Sequence, residues 1–569
     1  NDFAYSIYSG ANDYAGKYVK LLTNDIVIDN SAHYGTASKI SVLDFGTTTT
    51  NNGAGAYATS NIGYNFAGSI TDANIGGQSF QGYFDGNGNS IKIKYNSGNY
   101  HNISVFPNAK NAEFQNLTIT GSIVAGDSSS ESIKKWDDTV IGIGTYYRKY
   151  EYNAASDIAG FVGKPLGKIV FKNCTNTTDI VGYSRIAGFA GYSTDSAPIE
   201  FIGCVNKGDI ESFEGSKWTK VTGQDLGYPN DYEYGTGGLV AYATNNIVIE
   251  SCLNTGKIKG KTKVGGLVGR VTAVASINNS ANTGEIEATE FNMFVDSDKK
   301  KPANAWSRVG GLVGEAGQTS TLKMYACFNT GHIRGWSNIA GGLVGIIGSI
   351  PDNEKSHSAV ADNVSTIAYC YNTGAVEIGN VAWEGITMVG TSGKNLNGTC
   401  GGGLVGVAVQ LKITYSYNTG DVTGYGGCGS SGAWQVRNGG IIAEAVSSPK
   451  SGNHTIYVGN CYSTGKIYIK ENQKYSETHY SADIVGFMDK ESSKVVVEKC
   501  YGIANNIVSR KDNADSYLSG WNNQDGNGTA GKVRTGTTLN SCSDLTAIMQ
   551  KDGTVKPKAY SGTNEQTLW

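Results

Sequence analysis

Proline is nearly missing from this chain, 8 residues in 569, beside 78 glycines. That imbalance excludes a proline-rich or collagen-like composition and points to many short strands joined by tight turns. Charge is also thin: charged residues make up 17% and the net charge is −3. The chain therefore lacks the electrostatic footprint of a nucleic-acid or anionic-membrane binder. No apolar run approaches the roughly 18 residues a membrane span needs. The six histidines are scattered and the ten cysteines contain no C-x-x-C pair, which removes zinc-type spacing and the thioredoxin-like redox motif. No G-x-S-x-G elbow, H-E-x-x-H, P-loop or dinucleotide fingerprint occurs. No cofactor, no metal and no catalytic residue is expected. The chain begins at Asn1 without methionine and reads as an excised or processed segment.

What the chain does have is a repeat. A glycine-rich apolar strand reads IAGFVG at 158–163 and AGFAG at 187–191. It recurs as GGLVA at 237–241, as GGLVG at 265–269, 310–314, 341–345 and 402–406, and as GGIIA at 439–443, with a decayed DIVGF at 483–487. A second element reads CTNTTDI at 174, CVNKGDI at 204, CLNTGKI at 252 and SANTGEI at 280. It continues as CFNTGHI at 327, CYNTGAV at 370, SYNTGDV at 416, CYSTGKI at 461 and CYGIANNI at 500. The shortest spacing, Gly237 to Gly265, is 28 residues and holds three apolar runs. Three strands at ~3.3 Å per residue close one coil, and coils stack ~4.8 Å apart through backbone hydrogen bonds. The expected fold is all-β: a right-handed parallel β-helix of three-strand coils in a single solenoid, where each coil buries its side chains only against its neighbours.

The residue types fit that geometry. Glycine pairs allow a sharp corner and close backbone approach, and Asn-Thr-Gly supplies residues tolerant of left-handed dihedrals at another corner. Cys174, Cys204, Cys252, Cys327, Cys370, Cys461 and Cys500 share one repeat position with Ser280 and Ser416. That exchange implies a reduced, inward-facing ladder of small side chains.

GGLVG followed by C-x-NTG resembles the GLUG-motif family of bacterial surface proteins, whose motif also occurs in adhesin-like proteins and beside M26-type immunoglobulin A peptidase domains. YVKLLTNDIVID at 18–29, FQGYFDGNGNSIKI at 80–93 and FQNLTITGSIVAG at 114–126 are similar to that family's lead-in. SVFPNA at 104–109 departs from it, standing where a glycine-rich strand is usual. The resemblance implies a repeat fold and a cell-surface location. It implies no shared active site, and a peptidase of this type would need the zinc motif that is missing here.

Residues 1–130 read as an N-terminal cap with the first coils, 131–500 as the repeat stack and 501–569 as a C-terminal cap. Insertions recur at one corner, at about 127–157, 211–236, 287–309, 379–401, 424–438 and 470–482. Trp136, Trp218, Trp306, Trp336, Trp383 and Trp434 fall there, joined by Tyr228, Tyr232, Tyr234 and Tyr425. Two readings stand side by side. These rings pin their own loops to the wall, or Trp218, Trp306, Trp336, Trp383, Trp434, Tyr228 and Tyr425 form a strip that stacks on sugars or anchors a protein. Cys400 and Cys428 break the ladder position; neighbouring coils could bring them together in a disulfide, and two free thiols are the other reading.

Acidic residues give no paired-carboxylate signal. Asp179, Asp209 and Asp421 recur before the strand that follows the NTG turn, with Glu285 and Glu377 nearby. Lys257 and Lys466 stand there too, as at a solvated position. FDGNGNSI opens like a calcium loop but has Asn96 where the twelfth ligand belongs, so it reads as a tight turn. The expected function is an extracellular, monomeric adhesin-like protein that binds glycans or a host surface glycoprotein along the insertion edge. The alternatives are a carbohydrate-active enzyme of the β-helix type, with acids in the 211–236 and 287–309 loops, and a rigid non-catalytic spacer.

Overall fold

The computed structural model describes residues 12–24, 26–29, 79–96, 103–124, 156–194, 196–212, 235–289, 307–317, 319–335, 339–348, 364–379, 399–425, 436–445, 455–470, 480–488, 494–502, 507–509, 537–540 and 543–544. Among these residues every regular element is a strand, and the strands pair in parallel. The long parallel sheets of many short strands are those of a β-solenoid. By internal contacts the chain divides into two compact units, Asn1–Lys135 with Tyr147–Glu285, and Trp136–Tyr146 with Ile286–Trp569.

In the first unit, Tyr83–Asp85, Ala112–Gln115, Ile169–Lys172, Ile199–Ile202, Ile247–Glu250 and Val274–Asn278 lie side by side. They place Phe84, Phe114, Phe171, Phe201, Ile249 and Ile277 in one column. Alternate residues are buried, as the two-residue period of a strand requires. The phenylalanines stack, Phe114 on Phe171 at 5.4 Å and Phe171 on Phe201 at 5.1 Å. Each buried ring or branched aliphatic side chain in such a column contributes roughly 1.5–3 kcal/mol of transfer free energy. The glycine pairs line up as expected, Ala159 beside Ala187, then Gly237, then Gly265. The divergent segment Phe106–Ala109 pairs with Val162–Pro165 and so takes a glycine strand's place without glycine. Its Phe106 packs against Phe84 and Phe114 instead.

The asparagine of the NTG element does more than turn the chain. Asn176, Asn206, Asn254 and Asn282 are fully buried. Each Nδ2 donates to the next Oδ1, at 2.8, 2.7 and 2.6 Å in order. The same nitrogens also donate to carbonyls two residues on, such as Gly208 at 3.0 Å and Gly256 at 2.9 Å. Successive asparagines are 30, 48 and 28 residues apart, so an insertion lengthens a coil without disturbing its register.

The second glycine of each pair faces this ladder. A Cβ would stand 2.3 Å from Asn176 Oδ1 at Gly160, 2.5 Å from Asn206 Oδ1 at Gly188 and 2.8 Å from Asn254 Oδ1 at Gly238. The two halves of the repeat motif therefore fit one another across the interior. The glycine of NTG is required for a different contact: a Cβ on Gly256 would lie 2.1 Å from the Gly208 carbonyl oxygen.

The left-handed corner is not at NTG, as the sequence reading expects, but at the residue immediately before the cysteine. Asn173, Gly203, Ser251 and Asn279 have φ of 50, 62, 55 and 48°. The cysteine position then has a double task. Cys204 N–H donates to Cys252 Sγ at 3.3 Å, and Cys252 N–H to Ser280 Oγ at 3.0 Å. Cys252 Sγ and Ser280 Oγ donate in turn to the carbonyls two residues back. Cysteine and serine are the small side chains that both accept and donate there, which explains their exchange. The ladder cysteines are buried thiols, as expected.

The second unit repeats the scheme. Thr321–Tyr325, Ser365–Ala368, Leu411–Thr414, Thr455–Gly459 and Lys494–Glu498 align Met324, Ile367, Ile413, Val458 and Val497. Asn329 donates to Asn372 at 2.7 Å and Asn372 to Asn418 at 2.9 Å. Gly310, Gly341, Gly402, Gly439 and Ala482 share a column.

Replacing Asn254 by Ala strands one buried donor and one buried acceptor on its neighbours, at about 1–3 kcal/mol each. Gly256→Ala should cost at least ~1–3 kcal/mol by overpacking. Urea unfolding followed by far-ultraviolet circular dichroism should show both losses, with Val248→Ala on the same coil within ~0.5 kcal/mol of the parent.

Candidate binding face

Of the aromatic residues singled out in the insertions, Trp136, Trp218, Trp306, Trp336, Trp383, Trp434, Tyr228, Tyr232 and Tyr234 lie outside the described residues. Tyr425 is described. It ends the strand Val422–Tyr425, is only 6% exposed, and donates its hydroxyl to Glu377 Oε1 at 2.7 Å. Its ring is packed into the wall and does not offer a face to a ligand.

Other rings lie at the surface of the second unit, some half-buried and some exposed, while in the first unit Tyr18 and Tyr83 are exposed as well. The residue between the cysteine position and the ladder asparagine points outward. In the first unit that column holds Thr175, Val205, Leu253 and Ala281. In the second it holds Phe328, Tyr371, Tyr417 and Tyr462. These four rings stack nearly parallel at 5.0, 4.9 and 4.8 Å. Their faces are spent on one another, so the column presents ring edges and a row of tyrosine hydroxyls.

Beside it stand Tyr325, Tyr369 and Tyr415, which are 53%, 48% and 42% exposed. Tyr369 and Tyr415 stack at 5.0 Å, while Tyr325 is turned 65° to Tyr369 and keeps its face out of the stack. Tyr369 and Tyr415 occupy the left-handed corner, with φ of 55 and 49°. The first unit fills that corner largely with Asn and Gly, for which the conformation costs little. A bulky residue held there is a strained choice, and here it places two large rings in solvent. The signal was present in the sequence as the varying letters of CFN, CYN, SYN and CYS and the tyrosines just before them. Attention to the recurring letters alone passes over it.

On the strand after the turn, Glu377 gathers His332 Nε2 at 3.3 Å, Arg334 Nε at 3.4 Å and the Tyr425 hydroxyl. Hydrogen bonding from His332, with smaller help from Tyr425 and Arg334, outweighs partial burial and holds the Glu377 carboxyl down at about 2. Several other acids, in both units, tie strands together. Asp179, Asp209 and Asp421 are exposed, but each accepts the backbone N–H of the following coil, from Asp209 at 3.0 Å, Lys257 at 2.8 Å and Lys466 at 2.8 Å. Asp85 of the FDGNGNSI segment accepts from Asn87 N at 2.8 Å, from Asn116 Nδ2 at 3.2 Å and from the Tyr18 hydroxyl. Asn87 and Gly88, with φ of 53 and 78°, form the tight turn expected there.

Close packing also decides the chemistry around the glycine strands. A Cβ on Gly345 would stand 2.9 Å from the Val309 backbone. In the crease between such strands Arg308 pairs with Glu315, and Arg437 Nη1 with Glu444 Oε1 at 2.6 Å. Cys400 lies there as a buried thiol and donates to Glu444 Oε2 at 3.1 Å. Of the two readings left open for this pair, Cys400 is the free thiol; Cys428 lies outside the described residues.

Comparison of the chain with family models, with curated proteins and with solved structures finds no match.

The depressed carboxyl of Glu377 adds stability that is full above its ordinary value of 4.5 and is lost as pH falls toward about 2. Chemical unfolding of the parent and Glu377→Gln should therefore differ most at neutral pH. The difference should shrink below pH 4.5 and close near 2; a gap that persists at the lowest pH would contradict this account.

Proposed function

We propose that this chain is a right-handed parallel β-helix of three-strand coils, a GLUG-motif-type protein of a bacterial cell surface. In this reading it acts as an adhesin-like module that binds glycans, free or carried by a host glycoprotein. The observation that carries the reading is the group Tyr325, Tyr369 and Tyr415, with two of its rings held outward at positive φ. Exposed, rigid aromatic rings suit sugar recognition because the C–H face of a pyranose is apolar while its edge hydroxyls need polar partners. The row of hydroxyls on Tyr371, Tyr417 and Tyr462 stands in the adjacent column. Low net charge and the use of Asp179, Asp209 and Asp421 as strand ties favour binding over hydrolysis or elimination.

A glycan array, followed by product analysis on the bound sugars, tests the proposal. The parent should retain a defined set of glycans without generating new reducing or unsaturated ends. Replacing Tyr325, Tyr369 and Tyr415 together by Ala should weaken retention on the order of 100-fold with the circular dichroism spectrum unchanged. Undiminished retention would exclude this face, and loss in the triple Ala variant of Trp306, Trp336 and Trp434 would move the site to the insertions.

A further inference from the structure

The charges around the exposed tyrosines differ from those on the matching face of the first unit. There, outward positions mix signs and neutralise one another: Lys172 Nζ lies 2.8 Å from Glu113, and Lys168 Nζ lies 3.6 Å from Glu200. In the second unit the same outward columns read Lys323, Thr366, Lys412, Tyr457 and Val496, then Tyr325, Ala368, Thr414, Gly459 and Glu498. Glu498 is the one carboxylate on these two columns among the described residues, and it lies at the far end, accepting the Tyr457 hydroxyl at 2.8 Å. Lys323 and Lys412 are exposed, and neither pairs with a carboxylate among the described residues. The Lys412 ammonium sits 5.6 Å over the Tyr457 ring, an arrangement that keeps its charge at the surface.

Position now adds to composition. Lys323 and Tyr325 are two residues apart on one strand, so both point outward beside each other. Lys323 pairs in register with Thr366, and Thr366 with Lys412. The two ammonium groups therefore rise from strands two spacings apart, ~9.6 Å, a span comparable to a disaccharide. Exposed Tyr369 and Tyr415 flank the same strands at their ends. Aromatic rings thus adjoin two cations with no compensating acid between them.

We infer that the Tyr325–Tyr369–Tyr415 face, with Lys323 and Lys412, is a binding site for an anionic glycan, a chain bearing carboxylate or sulfate groups on its sugars. The inference rests on the glycan-binding reading above and narrows it. The sugar rings lie against the tyrosines, and acidic substituents about a disaccharide apart meet the two lysines. Thr366, half-buried between the two lysines, and Thr414, half-buried two residues beyond Lys412 on its strand, supply hydroxyls to the chain.

Isothermal titration with four hexasaccharides separates the two levels: oligogalacturonate, sulfated chondroitin, cellohexaose and chitohexaose. At least one anionic hexasaccharide should bind about tenfold or more tightly than either neutral one. Its affinity should fall with added salt, and Lys323→Gln with Lys412→Gln should bring it down by about tenfold, leaving the fold intact. Lys168→Gln in the first unit should change nothing. Neutral sugars bound as tightly as the anionic ones, or affinity indifferent to the lysine pair, would overturn the anionic assignment. If that neutral binding vanished with the triple tyrosine variant, the glycan-binding reading would stand without it. No binding of any of the four would remove both.

Discussion

The fit between a buried asparagine and a glycine holds this architecture in register. Asn176, Asn206, Asn254 and Asn282 exchange hydrogen bonds in line, and so do Asn329, Asn372 and Asn418. An amide donates and accepts at once from the same planar head, so it can build a continuous chain of such bonds from coil to coil. The chain of amides is possible because Gly188, Gly238, Gly342 and Gly403 leave no Cβ where the amides lie. A one-residue slip of any coil would bury unsatisfied amides and drive backbone into side chain, so register is specified by both polarity and volume. Apolar columns of Phe, Ile and Val supply the bulk of the burial, but such side chains tolerate a neighbour of similar shape and specify register less sharply.

A fold secured from within leaves its outward positions open to variation. The 48 residues separating Asn206 from Asn254 close as tight a hydrogen bond as the 28 separating Asn254 from Asn282. Outward residues carry no such duty either. In the column beside the ladder asparagine the first unit has Thr, Val, Leu and Ala where the second has stacked aromatics. The difference in function between the two units, in this reading, resides wholly in positions that the interior does not constrain.

Much of the interior was legible in the primary structure because its causes are local and repeated. The glycine pairs, the Cys/Ser exchange and the alternation of apolar residues each recur with the chain's own period, and each implies a shape by itself. The left-handed corner was misplaced by a few residues, since NTG carries turn-forming letters while the actual corner accepts Tyr, Ala and Lys as well as Asn and Gly. Burial of Tyr425 and the thiol state of Cys400 were left open for a related reason. Both depend on the crease between strands and on partners such as Glu377 and Glu444 that stand far away along the chain.

From the sequence alone follow the all-β class, the repeat period, the column of small sulfur and hydroxyl side chains, and the lack of catalytic or metal motifs. These are properties of spacing and residue type, which the chain displays directly. Only the tertiary structure decided which aromatic rings face solvent, which carboxylates are already engaged, and that the ladder asparagine and the paired glycine are halves of one contact. Exposure and partnership arise when coils stack and residues some 28 to 48 positions apart become neighbours, and no single stretch of sequence contains that adjacency.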